Sequence, residues 1–154
     1  MRDLTVDICV LIAASGPHTH YGTQKTDSLQ LLTAMEREDG WSLAYDPRIA
    51  SQYTASLGHG QFGHHWLAHM LAAKKAFRVP PLARHRKRQV HATLRCAKLN
   101  DEDGKYVEVA SQTRCNRLVT HDKHSFTSSA CQVLRAIPVY VVSCANACRL
   151  PEDL

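Results

Sequence analysis

Two aspartates stand where a carboxylate is hard to accommodate. Asp7 interrupts the apolar run LTVDICVLIAA at residues 4–14. A carboxylate buried in such a run needs a partner or a metal to offset its lost hydration; an acid near a strand edge is the competing reading. Asp122 directly follows the strand-like stretch NRLVTH. In a parallel α/β sheet, ligands bind beyond the carboxyl ends of the strands, so an acid there has a different meaning from one on a helix surface. A second group is His64, His65 and His69. His65 and His69 share a helix face at i and i+4 and could ligate zinc, but no Glu beside His65 makes an HExxH motif. Cys144 and Cys148 would have to approach from the far end of the chain, and surface histidines are the plainer reading. Cys115 and Cys131 have no evident His partner and read as core thiols. The densest positive charge is ARHRKR at residues 83–88, with Arg84, Arg86, Lys87 and Arg88. It reads either as a phosphate-binding arm or as a solvated face, and no interleaved aromatic offers base stacking. Trp41 and Trp66 read as core.

The elements that must position these groups alternate along the chain. Residues 4–14 read as a strand buried on both faces. A polar loop over 15–25 leads to DSLQLLTAMERE, with apolar residues at helical spacing, a cap at Asp27 or Ser28, and Gly40 at its close. WSLAY is a short strand, and Asp46-Pro47 starts a helix through IASQYTASL. FGHHWLAHMLAAKKAF is helix-like. The stretch near 78–95, with two prolines and many basic residues, reads as an exposed arm or a crossover. DEDGKYVEVASQTRC suits a helix, NRLVTHD a strand ending in an acid, SFTSSACQVLRA a helix and IPVYVVS a last buried strand. This alternation predicts one α/β domain over residues 1–154, a three-layer α/β/α sandwich with a mainly parallel sheet.

Composition narrows the class. The chain has 154 residues, 44% hydrophobic and 21% charged, enough to bury a core without disulfides or structural metals. A formal charge of +5 favours a polyanionic partner, since clustered Lys and Arg gain affinity for phosphates by counterion release. The six cysteines form no CxxC pair and read as reduced thiols. Asp3 and Asp7 argue against a signal peptide. No apolar stretch approaches the roughly 20 residues that span a bilayer, so the expectation is a soluble, cytoplasmic protein. No Gly-rich phosphate loop follows the first strand, which disfavours a flavodoxin-like nucleotide-binding domain.

The joint order of several short motifs resembles the PIN-domain nucleases, a family that includes the toxins of many bacterial toxin–antitoxin pairs. Asp103-Gly104-Lys105-Tyr106-Val107-Glu108-Val109-Ala110 looks like the family's acid-led helix, Leu118-Val119-Thr120-His121-Asp122-Lys123 its Thr-x-Asp turn, and IPVYVV its terminal strand. Val6-Asp7-Ile8-Cys9 is similar to the family's first strand and metal-binding acid, with Cys9 where relatives often carry Asn. The resemblance spans nearly the whole chain. It implies a PIN-like fold and metal-assisted hydrolysis of RNA phosphodiesters, with Mg²⁺ or Mn²⁺ held by Asp7, Asp103 and Asp122. It further implies that Thr120 positions a water or ligand, that Lys123 contacts phosphate, and that products carry a 5′-phosphate. Beside such a pocket, the basic stretch would suit single-stranded RNA. An antitoxin partner and a homodimer are also implied. Two positions depart from the pattern: Gln52 replaces the usual helix glutamate, and His124 stands where some relatives have an acid. Gln can bond a metal-bound water but adds no charge, so a catalytically degenerate PIN-like module that binds RNA or protein is the alternative. Glu36 and Glu38 could compensate, or form a solvated acidic face.

Overall fold

The first apolar run divides at its carboxylate. Strand β1 (Arg2–Val6) ends at Asp7, and helix α1 (Ile8–Ser15) follows at once. Asp7 has extended backbone, and its side chain accepts the Cys9 N–H, which is how an N-cap aspartate starts a helix. The expected eleven-residue strand is thus a five-residue strand plus a buried helix, two forms that periodicity alone does not separate in a short apolar run. The structure, a computed structural model, describes residues 2–147.

Helices α2 (His18–Tyr21) and α3 (Thr23–Arg37) follow. Helix α3 is capped at Gly22, whose φ of 54° favours glycine, five residues before the nearer expected cap, Asp27; Ser28 is buried inside it. Gly40, at φ 85°, turns the chain into β2 (Trp41–Tyr45). Helix α4 (Pro47–Ser56) starts as read from sequence: Asp46 accepts the Ile49 N–H at 3.0 Å and Pro47 opens the first turn. Helix α5 (Phe62–Ala72) stops early because the end of the helix-like string becomes strand β3 (Ala76–Arg78). The basic stretch is a crossover built around helix α6 (Arg84–Cys96), which buries Val90 and Leu94 four residues apart. Helix α7 (Asp101–Ala110) then leads to β4 (Arg117–Val119), α8 (Ser128–Leu134), β5 (Tyr140–Val142) and α9 (Cys144–Ala147).

Among the described residues the sheet has five strands, all parallel, in the order β3-β2-β1-β4-β5. Leu4 lies beside Leu43 on one side and Arg117 on the other, and Val6 beside Val119. Helices α3 and α5 pack with α1 and α9 packs on α3, whereas α6 packs with α7 and α8. With right-handed crossovers, these two groups cover opposite sheet faces, giving three α/β/α layers. Leu4, Val6, Leu43, Leu118 and Val119 are fully buried between them. The chain builds outward from β1 to β3, then returns to lay β4 on the other side of β1. Such a reversal opens a crevice at the carboxyl ends of the two strands. Among the described residues, no helix is long and apolar enough to cross a membrane.

Candidate functional site

Asp7 and Thr120 sit side by side at that reversal, one after β1 and one after β4. The Asp7 N–H continues the ladder to the Val119 carbonyl at 2.9 Å. Its carboxylate is 5% exposed. Oδ2 accepts the Thr120 hydroxyl at 2.8 Å, and Thr120 Oγ1 in turn accepts the Asp122 N–H at 3.0 Å. Burial raises the Asp7 pKa above 3.8, against the opposing hydrogen bonds from Thr120 and Cys9, and the charge of Asp103 adds to the rise.

Cys9 packs into the same corner, its sulfur 3.4 Å from Thr120 Oγ1 and accepting the His121 N–H at 3.3 Å. Burial, then the neighbouring Asp7 charge, pushes this thiol up to about 12. Cys9 is therefore a protonated filler of the corner and not a thiolate nucleophile.

Asp122 closes a tight turn in which its Oδ1 accepts the N–H groups of His124 and Ser125, each at 3.0 Å. Partial burial alone would raise its pKa, but the Ser125 and His124 donors and the His124 charge outweigh it and hold the carboxyl below 3.8. Asp103 lies in the first turn of α7, its N–H bonded to the capping Asn100 side chain at 2.9 Å. Partial burial raises its pKa, a Ser125 hydroxyl bond lowers it, and the charges of Asp122 and Glu102 raise it again. Asp103 therefore stands electrostatically between Asp7 and Asp122. Ser125, whose backbone N–H bonds Asp122 and whose hydroxyl lowers the pKa of both Asp103 and Asp122, was not singled out in the sequence. The signal for it is the Asp-x-x-Ser spacing of a side-chain-closed turn.

Gln52 lies next to this group through Tyr106: its Oε1 accepts the Tyr106 hydroxyl, and that oxygen accepts the Ile8 N–H at 3.2 Å. Tyr53 donates its hydroxyl to the Val6 carbonyl. Glu36 and Glu38 do not compensate for the missing carboxylate. They flank Arg37 at the end of α3, before β2 begins, and so occupy the opposite end of the sheet. There Glu36 pairs with His69 at 2.6 Å and Glu38 accepts the Trp41 indole N–H at 3.1 Å. His64 packs edge-on against His59 and His65, and Cys148 lies outside the described residues.

The basic residues separate. Arg84, Lys87 and Arg88 are exposed on α6, but Arg86 is turned inward, donating to the Ile137 carbonyl at 2.8 Å and to Gln89 at 2.7 Å. Lys123 is exposed beside Asp122.

Among the described residues, no three His, Cys, Asp or Glu side chains are grouped as a ready metal cage. The donor chemistry nonetheless fits one class of ion. Asp7, Asp103 and Asp122 offer hard oxygens, and among the described residues none of the three is in an ion pair. Mg²⁺ commonly keeps several waters and takes only one or two carboxylates directly, so an open acidic crevice matches it better than a closed cage.

Fold and site together define a doubly wound, all-parallel α/β protein with an acidic crevice at its topological switch point. No protein-family model, no curated protein and no solved structure matches the chain.

Proposed function

We propose that the protein is a divalent-metal-dependent endoribonuclease of the PIN type, with Asp7, Asp103 and Asp122 as its acids. The observation that carries this reading is the link from Asp7 through Thr120 to Asp122 at the β1/β4 reversal, with Asp103 on α7 close enough for its charge to act on Asp7 and to feel that of Asp122; among the described residues none of the three has an ion-pair partner. A bound Mg²⁺ or Mn²⁺ would supply charge neutralisation on the phosphate and a more acidic water. The residues supply the rest. Asp122, held ionised by two backbone N–H groups, offers a fixed anionic anchor. Thr120 fixes the Asp7 carboxylate against it. Asp103, with its raised pKa, takes the proton from the attacking water as the new P–O bond forms and the P–O3′ bond breaks; the departing O3′ takes a proton from solvent, leaving a 5′-phosphate and a 3′-hydroxyl. On this reading the chain acts on RNA in the cytoplasm, as a homodimer restrained by a small antitoxin.

The test is Mn²⁺ calorimetry on wild type, Asp103→Asn and Asp122→Asn, with a parallel gel assay on mixed single-stranded RNA. Expected are Asp122-dependent binding and cleavage lost in both variants. Cleavage unchanged in both would remove the assignment. One observation favours a second reading, a degenerate RNA- or protein-binding module: the Gln52 side-chain oxygen is taken by Tyr106, so no charge stands at the usual glutamate position. Binding of Mn²⁺ without cleavage, and a gain of cleavage in Gln52→Glu, would favour that module.

A further inference from the structure

We propose that the groove along the outer strand β5 is the track by which single-stranded RNA reaches the acidic crevice, with Arg114 and Arg135 on phosphates and Tyr140 stacking a base. The inference rests on the ribonuclease reading for the nature of the polymer and on separate observations for its path. Strand β5 is an outer strand of the sheet, and two hollows adjoin along it. The inner one begins at Thr120 and Asp122 and includes Lys123. The outer one reaches Arg114, Arg117 and Tyr140. Both share Cys131, Arg135, Val141 and Val142 as a common wall, so they form one continuous groove starting at the crevice.

Charge and aromaticity both select a single strand. No Asp or Glu among the described residues lines the outer hollow. Arg114 and Arg135 are exposed, and among the described residues neither side chain is in an ion pair. Asp3 accepts the Arg114 backbone N–H at 3.0 Å, but it is buried and outside the lining. Tyr140 is 46% exposed, a large ring left at the surface beside arginines. Cations that track the backbone, interleaved with an aromatic face, are what unpaired bases bind; a duplex keeps its bases stacked on one another and gains nothing from the ring. The hollow against α6 is a poorer track, because Asp101, Glu102 and Glu108 share its lining with Arg48, Lys87, Arg95 and Lys105, and Arg48 and Lys105 are already paired with two of those acids.

The experiment is fluorescence anisotropy of a short labelled mixed-sequence single-stranded RNA in EDTA, so that binding is read without cleavage. The Arg114→Glu/Arg135→Glu double variant is expected to bind at least tenfold more weakly. Its slope of log Kd against log salt should fall by about 1.4, two phosphate contacts at about 0.7 each. Tyr140→Ala should weaken binding roughly tenfold, and Tyr140→Phe should restore it. Circular dichroism melts check the fold, and the milder Arg114→Gln/Arg135→Gln pair reads the same slope if the charge reversal unfolds the chain. Affinity unchanged in the arginine variants, or lost instead in Arg84→Glu/Lys87→Glu/Arg88→Glu, overturns the proposal, as does duplex RNA binding as tightly as a single strand. Groove-dependent binding without Mn²⁺-dependent cleavage keeps the track and removes the nuclease. Cleavage that survives unchanged in the groove variants does the reverse.

Discussion

Replacing Thr120 by Val keeps the branched shape of the side chain and removes the hydroxyl that joins two strand ends. Asp7 Oδ2 then loses its donor and the Asp122 N–H its acceptor, both in a corner where Thr120 is 8% exposed. The expected cost is about 2 kcal/mol in urea unfolding, the penalty of leaving buried polar groups without partners. The carboxylates add a pH dependence of definite sign. Asp7 and Asp103 bind protons more tightly in the folded chain than at the ordinary 3.8. Their contribution to stability is fully present below that value and is lost as pH rises through their raised folded values. Asp122, held below 3.8, runs the other way, losing its contribution as pH falls through its lowered value. A cation that neutralises the crevice should therefore raise the melting temperature more at neutral than at mildly acidic pH. Melting curves with and without Mn²⁺ across that range check this, and a pH-independent shift would place the ion elsewhere. At this scale the sequence was informative where a charge conflicted with its surroundings. Asp7 and Asp122 were legible for that reason, whereas Ser125 was hidden because its role exists only once α7 is brought against the turn.

Between elements, Glu108 is the junction. From α7 it bonds Arg48 at the start of α4 and His91 in α6, while Arg48 also holds Asp46, the cap of α4. Glu108 itself is nearly buried and its two partners are half-exposed. Solvent therefore weakens each pair, and Glu108→Ala should cost roughly 1–2 kcal/mol in denaturant unfolding. Because α7 also carries Asp103, the same variant should loosen Mn²⁺ binding, which calorimetry would register. The Asp-Pro start of α4 was readable because its capping chemistry is local. Helix α6 was not, since Val90 and Leu94 are a narrow apolar seam among arginines, preceded by two prolines that suggest a loop. Strand β3 was missed for a different reason: Ala76 and Phe77 are the last residues of a helix-like string, and only pairing with β2 makes them extended.

For the whole molecule, alternation of strands and helices was enough to imply a parallel sheet, but strand order was not written in any local pattern. It depends on β4 returning past two strands to lie beside β1. A chain ending at residue 115 keeps three strands and loses both β4 and Thr120. It should show weak near-ultraviolet circular dichroism and no Mn²⁺ heat, even though most of its helices are encoded. Normal binding by such a truncation would detach the metal from the β1/β4 reversal.

The distance along the chain between the two halves of the crevice has a consequence in time. Asp7 and Thr120 are 113 positions apart, so their contact closes a very long loop, a slow step that needs both ends present. During synthesis Asp7 leaves the ribosome well ahead of Thr120, 113 positions further on. A nascent chain thus carries Asp7 without its partners while the intervening segment is made, and the acidic crevice comes into being only after Thr120 and Asp122 have emerged.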